Sequence, residues 1–190
     1  RERRHVTEAG ITFDTLTGSD LGTDEWHDIY LFYASSFLRR GRRPYFPPEF
    51  FPALAKRMGE RIVVKRAMRA GRPVAAAIFF RSSDTLYGRY WGASEYHDSL
   101  HFETCYYQGI EFCIEHGLSR FDPGTQGEHK IARGFEATAT WSAHRLAEPG
   151  FHRAVADYLQ NERRHIRAYM QEVDRHLPFR RDLERGQVSP

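Results

Sequence analysis

The sequence predicts an α/β fold with a mixed, mainly antiparallel sheet and helices on both faces. Residues 61–92 hold three short apolar segments separated by turn residues, which is typical of a β-meander. Two earlier segments carry aromatic and aliphatic residues at helical spacing. After the meander, a helical segment at 99–117 precedes a further strand at 118–122, and this strand–helix–strand passage requires a right-handed crossover.

Residues 1–10 are predicted to be the end of a basic helix that stops at Gly10, and Ile11–Leu16 alternates like a short strand. A longer helix begins at Thr23, a cap candidate followed by two acidic residues. Its inward face is predicted to hold Trp26, Ile29, Tyr30, Tyr33 and Phe37. The basic run Arg39–Arg43 ends this helix. We interpret the run as a solvated helix end, with a phosphate-facing patch as the alternative.

Pro47 and Pro48 begin another helix, which Gly59 ends. The predicted strands of the meander and beyond are residues 61–69, 74–81, 86–92, 118–122 and 139–146. A last amphipathic helix is predicted from about residue 149 to about residue 177. Its inward positions are Phe151, Val155, Tyr158 and Leu159.

Composition excludes several classes of protein. The 190 residues are 41% hydrophobic and 14% aromatic, which excludes disorder, and no apolar run reaches the length of a membrane-spanning helix. A net charge of +3 is too small to indicate nucleic-acid binding by itself. Cys105 and Cys113 are predicted to lie on one helix, too far apart for a disulfide, which favours a reducing, cytoplasmic compartment.

The chain opens without Met, on a basic segment typical of the middle of a helix. We therefore expect it to be the C-terminal half of a longer, two-domain protein. One domain is predicted over residues 1–190, with a linker helix and first strand at about 1–22 and a loose tail at 178–190.

The densest polar cluster, residues 124–135, follows a predicted strand, which is where sites of α/β sheets lie. Glu128 or His129 is a candidate general base, since either group can be tuned toward neutral pH. Lys130 and Arg133 are candidates to hold an anionic donor or a developing oxyanion. Gln126 and Gly127 complete the predicted site. An ordinary surface loop with ion pairs is the alternative.

A second cluster lies at residues 87–92. On a regular strand, Tyr87, Arg89 and Trp91 point to one side and Tyr90 to the other. Arg89 between aromatic residues is typical of a pocket for a carboxylate or phosphate. A sheet face covered by a helix explains the aromatic residues equally well.

Three more side chains are substrate-binding candidates: Glu103 and Tyr107 on the predicted helix, and His144 on the predicted strand that follows the Gly-rich loop. If Glu103 is buried it needs a partner, for which Arg89 is the natural candidate. His97 and His101 have zinc-pair spacing but no evident third ligand, so no metal is expected. Cys105 is interpreted as a packed thiol rather than a nucleophile.

Three segments together, GRYWG (88–92), LHFETCYYQGIEF (100–112) and QGEHKIARG (126–134), carry a resemblance to a known family. They resemble the FemAB-like predicted N-acyltransferases, bacterial proteins often labelled peptidoglycan biosynthesis or recognition proteins, within the GNAT N-acetyltransferase superfamily. The resemblance runs from about residue 1 to about residue 162 and implies a GNAT fold. Asp122 stands where the family tends to have Glu, and the usual pyrophosphate loop for acyl-CoA is absent.

The resemblance implies amide formation on an amine acceptor, from acyl-CoA or aminoacyl-tRNA as co-substrate and with no tightly bound cofactor. The acceptor is expected to be a small molecule or a peptide, in peptidoglycan or peptide modification. Expected partners are the N-terminal half of the same protein, tRNA and a second copy of the chain, and no membrane. Two alternatives stay open: a non-catalytic domain that recognises a cell-wall peptide or partner protein, and an RNA-binding module.

Overall fold

The computed structural model describes residues 1–125 and 127–179. The chain divides into two compact units, residues 1–125 and residues 126–190. The helices of the first unit are α1 (Glu2–Glu8), α2 (Thr23–Leu38), α3 (Phe50–Met58) and α4, which runs through Leu100–Phe102, Glu103–Tyr107 and Gln108–Glu115. Its strands are β1 (Ile11–Thr17), β2 (Ile62–Arg69), β3 (Arg72–Arg81), β4 (Thr85–Ala93) and β5 (Arg120–Asp122). The second unit holds a 3₁₀ helix (Glu128–Arg133) and α5 (Pro149–Arg175).

The five strands form one sheet in the order β1-β2-β3-β4-β5. The first four pair antiparallel with their neighbours, whereas β5 pairs parallel to β4 after the chain has passed through α4. The turn between β2 and β3 is the two-residue loop Ala70-Gly71, with φ of 50° and 76°. Two positive φ values suit the right-handed twist of a hairpin. The predicted mixed, mainly antiparallel α/β sheet is confirmed.

The two faces of the sheet are covered by different helices, because successive strand residues point to opposite sides. Val64 belongs to the cluster that contains Trp26 of α2 and Phe51 of α3. Val63, the preceding residue, packs instead with Phe112 of α4. Farther along β2, Ala67 lies in a cluster with Val6 of α1. The prediction of helices on both faces is therefore confirmed.

The predicted strand at 139–146 is wrong, because this segment has no regular structure. The described part of the second unit contains no strand that could supply ladder hydrogen bonds, and a lone strand is unstable. Trp141 within the segment is 82% exposed.

The last helix is confirmed, but Phe151 and Tyr158, predicted to point inward, are 59% and 63% exposed. At the start of α2 the cap is Gly22 rather than Thr23, and Glu25 Oε2 accepts from the Gly22 N–H at 2.8 Å. None of the helices in the described ranges is both long enough and apolar enough to cross a bilayer.

Candidate active site

Strands β4 and β5 pair over three residues only and then separate. The ladder joins Thr85 to Arg120, Leu86 to Phe121 and Tyr87 to Asp122. Pro123 follows, and it has no N–H with which to continue a ladder. Beyond Tyr87, no described strand pairs with this edge of β4. Its backbone groups are therefore available to an extended molecule.

A β-bulge lies at the same point of β4. Ile78 of β3 pairs with Tyr90 and the next residue, Phe79, pairs with Gly88, so Arg89 has no partner in the ladder. An extra residue shifts the alternation of side chains beyond it. Tyr90 consequently packs with the α2 and α3 cluster and Trp91 with the cluster on the opposite face.

The bulge overturns the prediction that Tyr87, Arg89 and Trp91 share one side. Tyr87 pairs with Phe80, whose side chain packs on the α2 side of the sheet. Trp91 packs on the other side, where its ring lies 5.2 Å from that of His101. A regular alternation had been assumed, and only the pairing register reveals the extra residue.

A cleft of about 100 Å³, which we call the donor cleft, lies beside the separated strands. One wall is β3 and the bulged part of β4, from Gly88 to Trp91. The other walls are Pro123 and three side chains of α4: His101, Cys105 and Tyr106. Both cysteines are reduced, and burial raises the pKa of the Cys113 thiol to about 11.

A second opening of about 440 Å³, which we call the arginine cavity, lies at the end of α2. Its lining is Ser36, Phe37, Arg39, Arg40, Arg89, Tyr90 and Trp91. The basic run and the aromatic cluster, which were separate observations in the sequence, thus meet in one place. The bulged segment of β4 lines both openings.

Glu103 is buried, with only 3% of its surface exposed, but its partner is not Arg89. Arg3 Nε donates to Glu103 Oε2 at 3.2 Å, and Gln108 Nε2 donates to Oε1 at 2.9 Å. Glu103–Tyr107 is a π-helical turn, which brings residues five apart to the same side. The predicted pairing with Arg89 is wrong, because the bulge places Arg89 at the arginine cavity.

Lys65 of β2 is a buried cation next to this network, and only 4% of its surface is exposed. Its Nζ lies 3.5 Å from Oε1 of Gln108 and 5.7 Å from the ring centroid of Phe112. Burial lowers the pKa of Lys65, although Glu115, Glu111 and Asp14 act in the opposite direction. Sequence reasoning noted Lys65 only as a rare lysine among arginines.

The predicted catalytic residues Glu128, His129 and Lys130 are consecutive in the 3₁₀ helix of the second unit. Three residues complete one turn of such a helix, so these side chains leave its axis in three directions. Lys130 is buried, whereas Glu128 and His129 are exposed. Glu128 Oε1 accepts from the Tyr169 hydroxyl of α5 at 3.3 Å.

His129 has a lowered pKa, first because it is partly desolvated and then because Arg133 and Lys130 are positively charged. Arg133 also donates to the backbone carbonyl of His129. Gly127, with φ of 106°, begins the turn. A Cβ at Gly127 would overlap the His129 ring, so glycine is required there.

Other candidates lie apart from these groups. Tyr107 donates to Glu2 Oε2 at 2.8 Å, and His144 contacts Ser142 Oγ at 2.9 Å in the irregular segment. Gln126 lies outside the described residues. The substrate-binding and catalytic assignments of all these residues stay predictions.

Sequence reasoning missed most of the donor cleft. Gly88, His101, Tyr106 and Pro123 were not among the candidates, although the motif GRYWG contains the bulge. Two features could have indicated it: a glycine on each side of the RYW segment, and a proline directly after a short strand. Glycines inside a strand often mark a bulge or a close approach of backbone.

A comparison with protein families decides the identity at this point. The sequence profile FemAB_like, described as peptidoglycan biosynthesis/recognition, matches residues 1–181. The chain belongs to the FemAB-like family. The match covers the three segments that carry the resemblance and extends beyond them. A search of curated proteins found no match.

Solved structures similar to this FemAB-like chain are acetyltransferases of low sequence identity. A possible acetyltransferase from Clostridium difficile 630 has a TM-score of 0.53 at 11% identity, over 73% of this chain and 99% of that one. A probable acetyltransferase has a TM-score of 0.50 at 12% identity, over 72% and 98% of the two chains. An aminoglycoside N-acetyltransferase in complex with CoA has a TM-score of 0.47 at 13% identity, over 73% and 95%. The fold is that of the GNAT acetyltransferases, and with the family membership it supports an N-acyltransferase kind of function.

Proposed function

We propose that this chain transfers an acyl group from acyl-CoA or aminoacyl-tRNA to an amine. The amine nitrogen attacks the acyl carbonyl, the amide bond forms, and the carrier leaves as the CoA thiol or the tRNA hydroxyl. A base takes the proton that the amine loses. The observation that carries the proposal is the separation of β4 from β5 beside the donor cleft.

An extended chain that carries amides suits this opening. Such a chain can add to a free strand edge through backbone hydrogen bonds, as peptides do in β-augmentation. The pantetheine arm of CoA is a chain of this kind. The edge from Gly88 to Trp91 offers the hydrogen-bonding groups, and the volume of about 100 Å³ suits a narrow arm rather than a whole nucleotide.

Glu128 and His129 remain the candidate bases of this proposal. The lowered pKa of His129 keeps its imidazole neutral at neutral pH, which is the form that accepts a proton. Lys130 and Arg133 remain candidates to stabilise the oxyanion of the tetrahedral intermediate. A peptide amine of the cell wall is the acceptor that the family description favours.

Native mass spectrometry tests the donor, with acetyl-CoA and charged tRNA offered separately. Cys105→Phe fills the donor cleft, whereas Ile114→Phe places the same ring on the exposed side of α4. We expect the wild type and Ile114→Phe to retain one donor, and Cys105→Phe to lose at least about tenfold in affinity. Thermal unfolding of both variants checks that each is folded. Equal donor binding by Cys105→Phe and Ile114→Phe contradicts the cleft assignment.

A recognition domain is the second candidate function, and the 3₁₀ helix favours it. Glu128, His129 and Lys130 leave that helix in different directions, although a single concave site needs side chains that converge. If the wild type retains neither donor but binds a cell-wall peptide, this second function replaces the first.

A further inference from the structure

We propose that the arginine cavity binds an oxyanion group, a phosphate or a carboxylate, of a small molecule. The identification of that molecule as the acceptor amine rests on the proposed function. The binding itself does not depend on catalysis and is tested separately below.

The cavity concentrates positive charge that the described residues do not neutralise. Arg39 and Arg40 come from the end of α2 and Arg89 from the bulge of β4, and no acidic side chain is in the lining. None of the three forms an ion pair within the described ranges. Elsewhere in the same unit, Arg66 is paired with Asp14 at 2.8 Å. An anion from outside the chain would balance the cavity.

The guanidinium of Arg39 is held in place rather than loose in solvent. Its Nη1 donates to the carbonyl of Ala93 at 2.9 Å and its Nη2 to Ser35 Oγ at 3.3 Å. These bonds use two of five N–H donors, so three remain for a ligand. Arg89 lies over the ring of Tyr90, 5.6 Å from its centroid, which also restrains it.

These arginines are not needed to cap α2. Gly41 has φ of 67°, and its N–H donates to Leu38 O at 2.9 Å. The N–H of Arg42 donates to Phe37 O at 3.1 Å. Together these bonds form a Schellman motif, in which the backbone itself satisfies the last helical carbonyls. The solvated helix end that the sequence suggested therefore does not account for where Arg39 points.

The size and walls of the cavity indicate the class of ligand. About 440 Å³ lies within the ~300–1,000 Å³ of typical small-molecule sites. Guanidinium groups bind carboxylates and phosphates through paired hydrogen bonds. The rings of Phe37, Tyr90 and Trp91 offer contact to the apolar part of the molecule. Because Arg89, Tyr90 and Trp91 also line the donor cleft, a ligand bound here is next to the acyl donor.

Three matched amines test the inference: ethanolamine, β-alanine and O-phosphoethanolamine. Each is titrated into the full chain at low salt by calorimetry, with Arg39→Gln, Arg40→Gln and the control Arg72→Gln. Arg72 is exposed at the hairpin between β2 and β3, away from both openings. We expect binding of at least one anionic amine and none of ethanolamine, and an affinity about tenfold lower in each cavity variant. Tighter binding of O-phosphoethanolamine identifies a phosphate ligand, and tighter binding of β-alanine a carboxylate.

The inference is overturned if both anionic amines bind no better than ethanolamine, or if the Arg40→Gln and Arg72→Gln variants bind them equally. Acetyl-CoA and charged-tRNA binding, measured on the same samples, separates this result from the proposed function. Anion binding that depends on Arg40 with neither donor bound contradicts the acyltransferase alone. Donor binding with anion binding independent of Arg40 contradicts the oxyanion site alone.

Discussion

Gly92 of β4 lies directly against the backbone of Phe32 in α2, so that a Cβ at this position would overlap the Phe32 carbonyl oxygen. Helix α2 can therefore sit on the sheet only where β4 has no side chain. A rigid helix backbone cannot yield to the added methyl group as a flexible side chain can.

Gly92→Ala is expected to destabilise the fold by about 3 kcal/mol or more, because α2 must move away from the sheet. Gly88→Ala, in the same strand, is the matched control. Its Cβ would meet Pro123 at an ordinary 3.5 Å. Urea unfolding measures both free energies, and equal stability of the two variants contradicts the close packing.

Arg3→Ala is expected to cost about 1–2 kcal/mol, because it leaves the buried Glu103 carboxylate without its cation. The value is below that of a fully buried pair since the Arg3 side chain is half exposed. Arg4→Ala on the same helix breaks only an exposed pair with Glu8 and should cost less than about 0.5 kcal/mol. Thermal or urea unfolding compares them, and the prediction fails if Arg4→Ala costs as much as Arg3→Ala.

Lys65→Met is expected to raise the free energy of unfolding at pH 7, because a buried cation is replaced by an apolar side chain of similar shape. The pKa of Lys65 is lowered in the folded state, so the unfolded chain binds more protons between that pKa and the ordinary value near 10.5. Wild-type stability should thus gain on the variant as pH rises toward 10.5. Urea unfolding at several pH values measures the difference, which must not stay constant.

The imidazole of His129 is expected to titrate below its ordinary pKa of 6.5, because burial, Arg133 and Lys130 all disfavour its protonation. Arg133→Gln should raise that pKa, whereas Arg175→Gln, whose charge is paired with Glu172 at the end of α5, should not. Proton NMR of the histidine ring follows both variants. An unchanged titration in Arg133→Gln excludes an electrostatic effect of that side chain.

Glu128→Gln is expected to lower the turnover of the acyl transfer by ~10²–10⁴-fold if Glu128 is the base, without unfolding the chain. Lys130→Ala is expected to cost ~10²–10³-fold as the loss of an oxyanion donor. Tyr169→Phe removes only the hydroxyl that Glu128 accepts from, so it should retain most activity. Steady-state kinetics with the donor that binds decides. Near-normal turnover in Glu128→Gln and Lys130→Ala excludes both roles.

The elements that depend on local pattern could be predicted from the sequence. The Ala70-Gly71 turn and the apolar strands on either side of it determine a hairpin through neighbouring residues alone. The segment 139–146 shows the limit of this reasoning, because alternation does not create a strand without a partner strand. The π-helical turn at Glu103–Tyr107 was not predictable from helical periodicity, which only locates the helix as a whole.

By itself, the sequence determined the class of fold, the order of its elements and, through three short segments, the family. These properties reside in residues close together in the chain. The tertiary structure alone decided which distant groups meet: Arg3 with Glu103, and Arg39 with Arg89 at one cavity. The physical reason is the pairing register of β3 and β4, in which one unpaired residue at Arg89 reverses every side chain that follows.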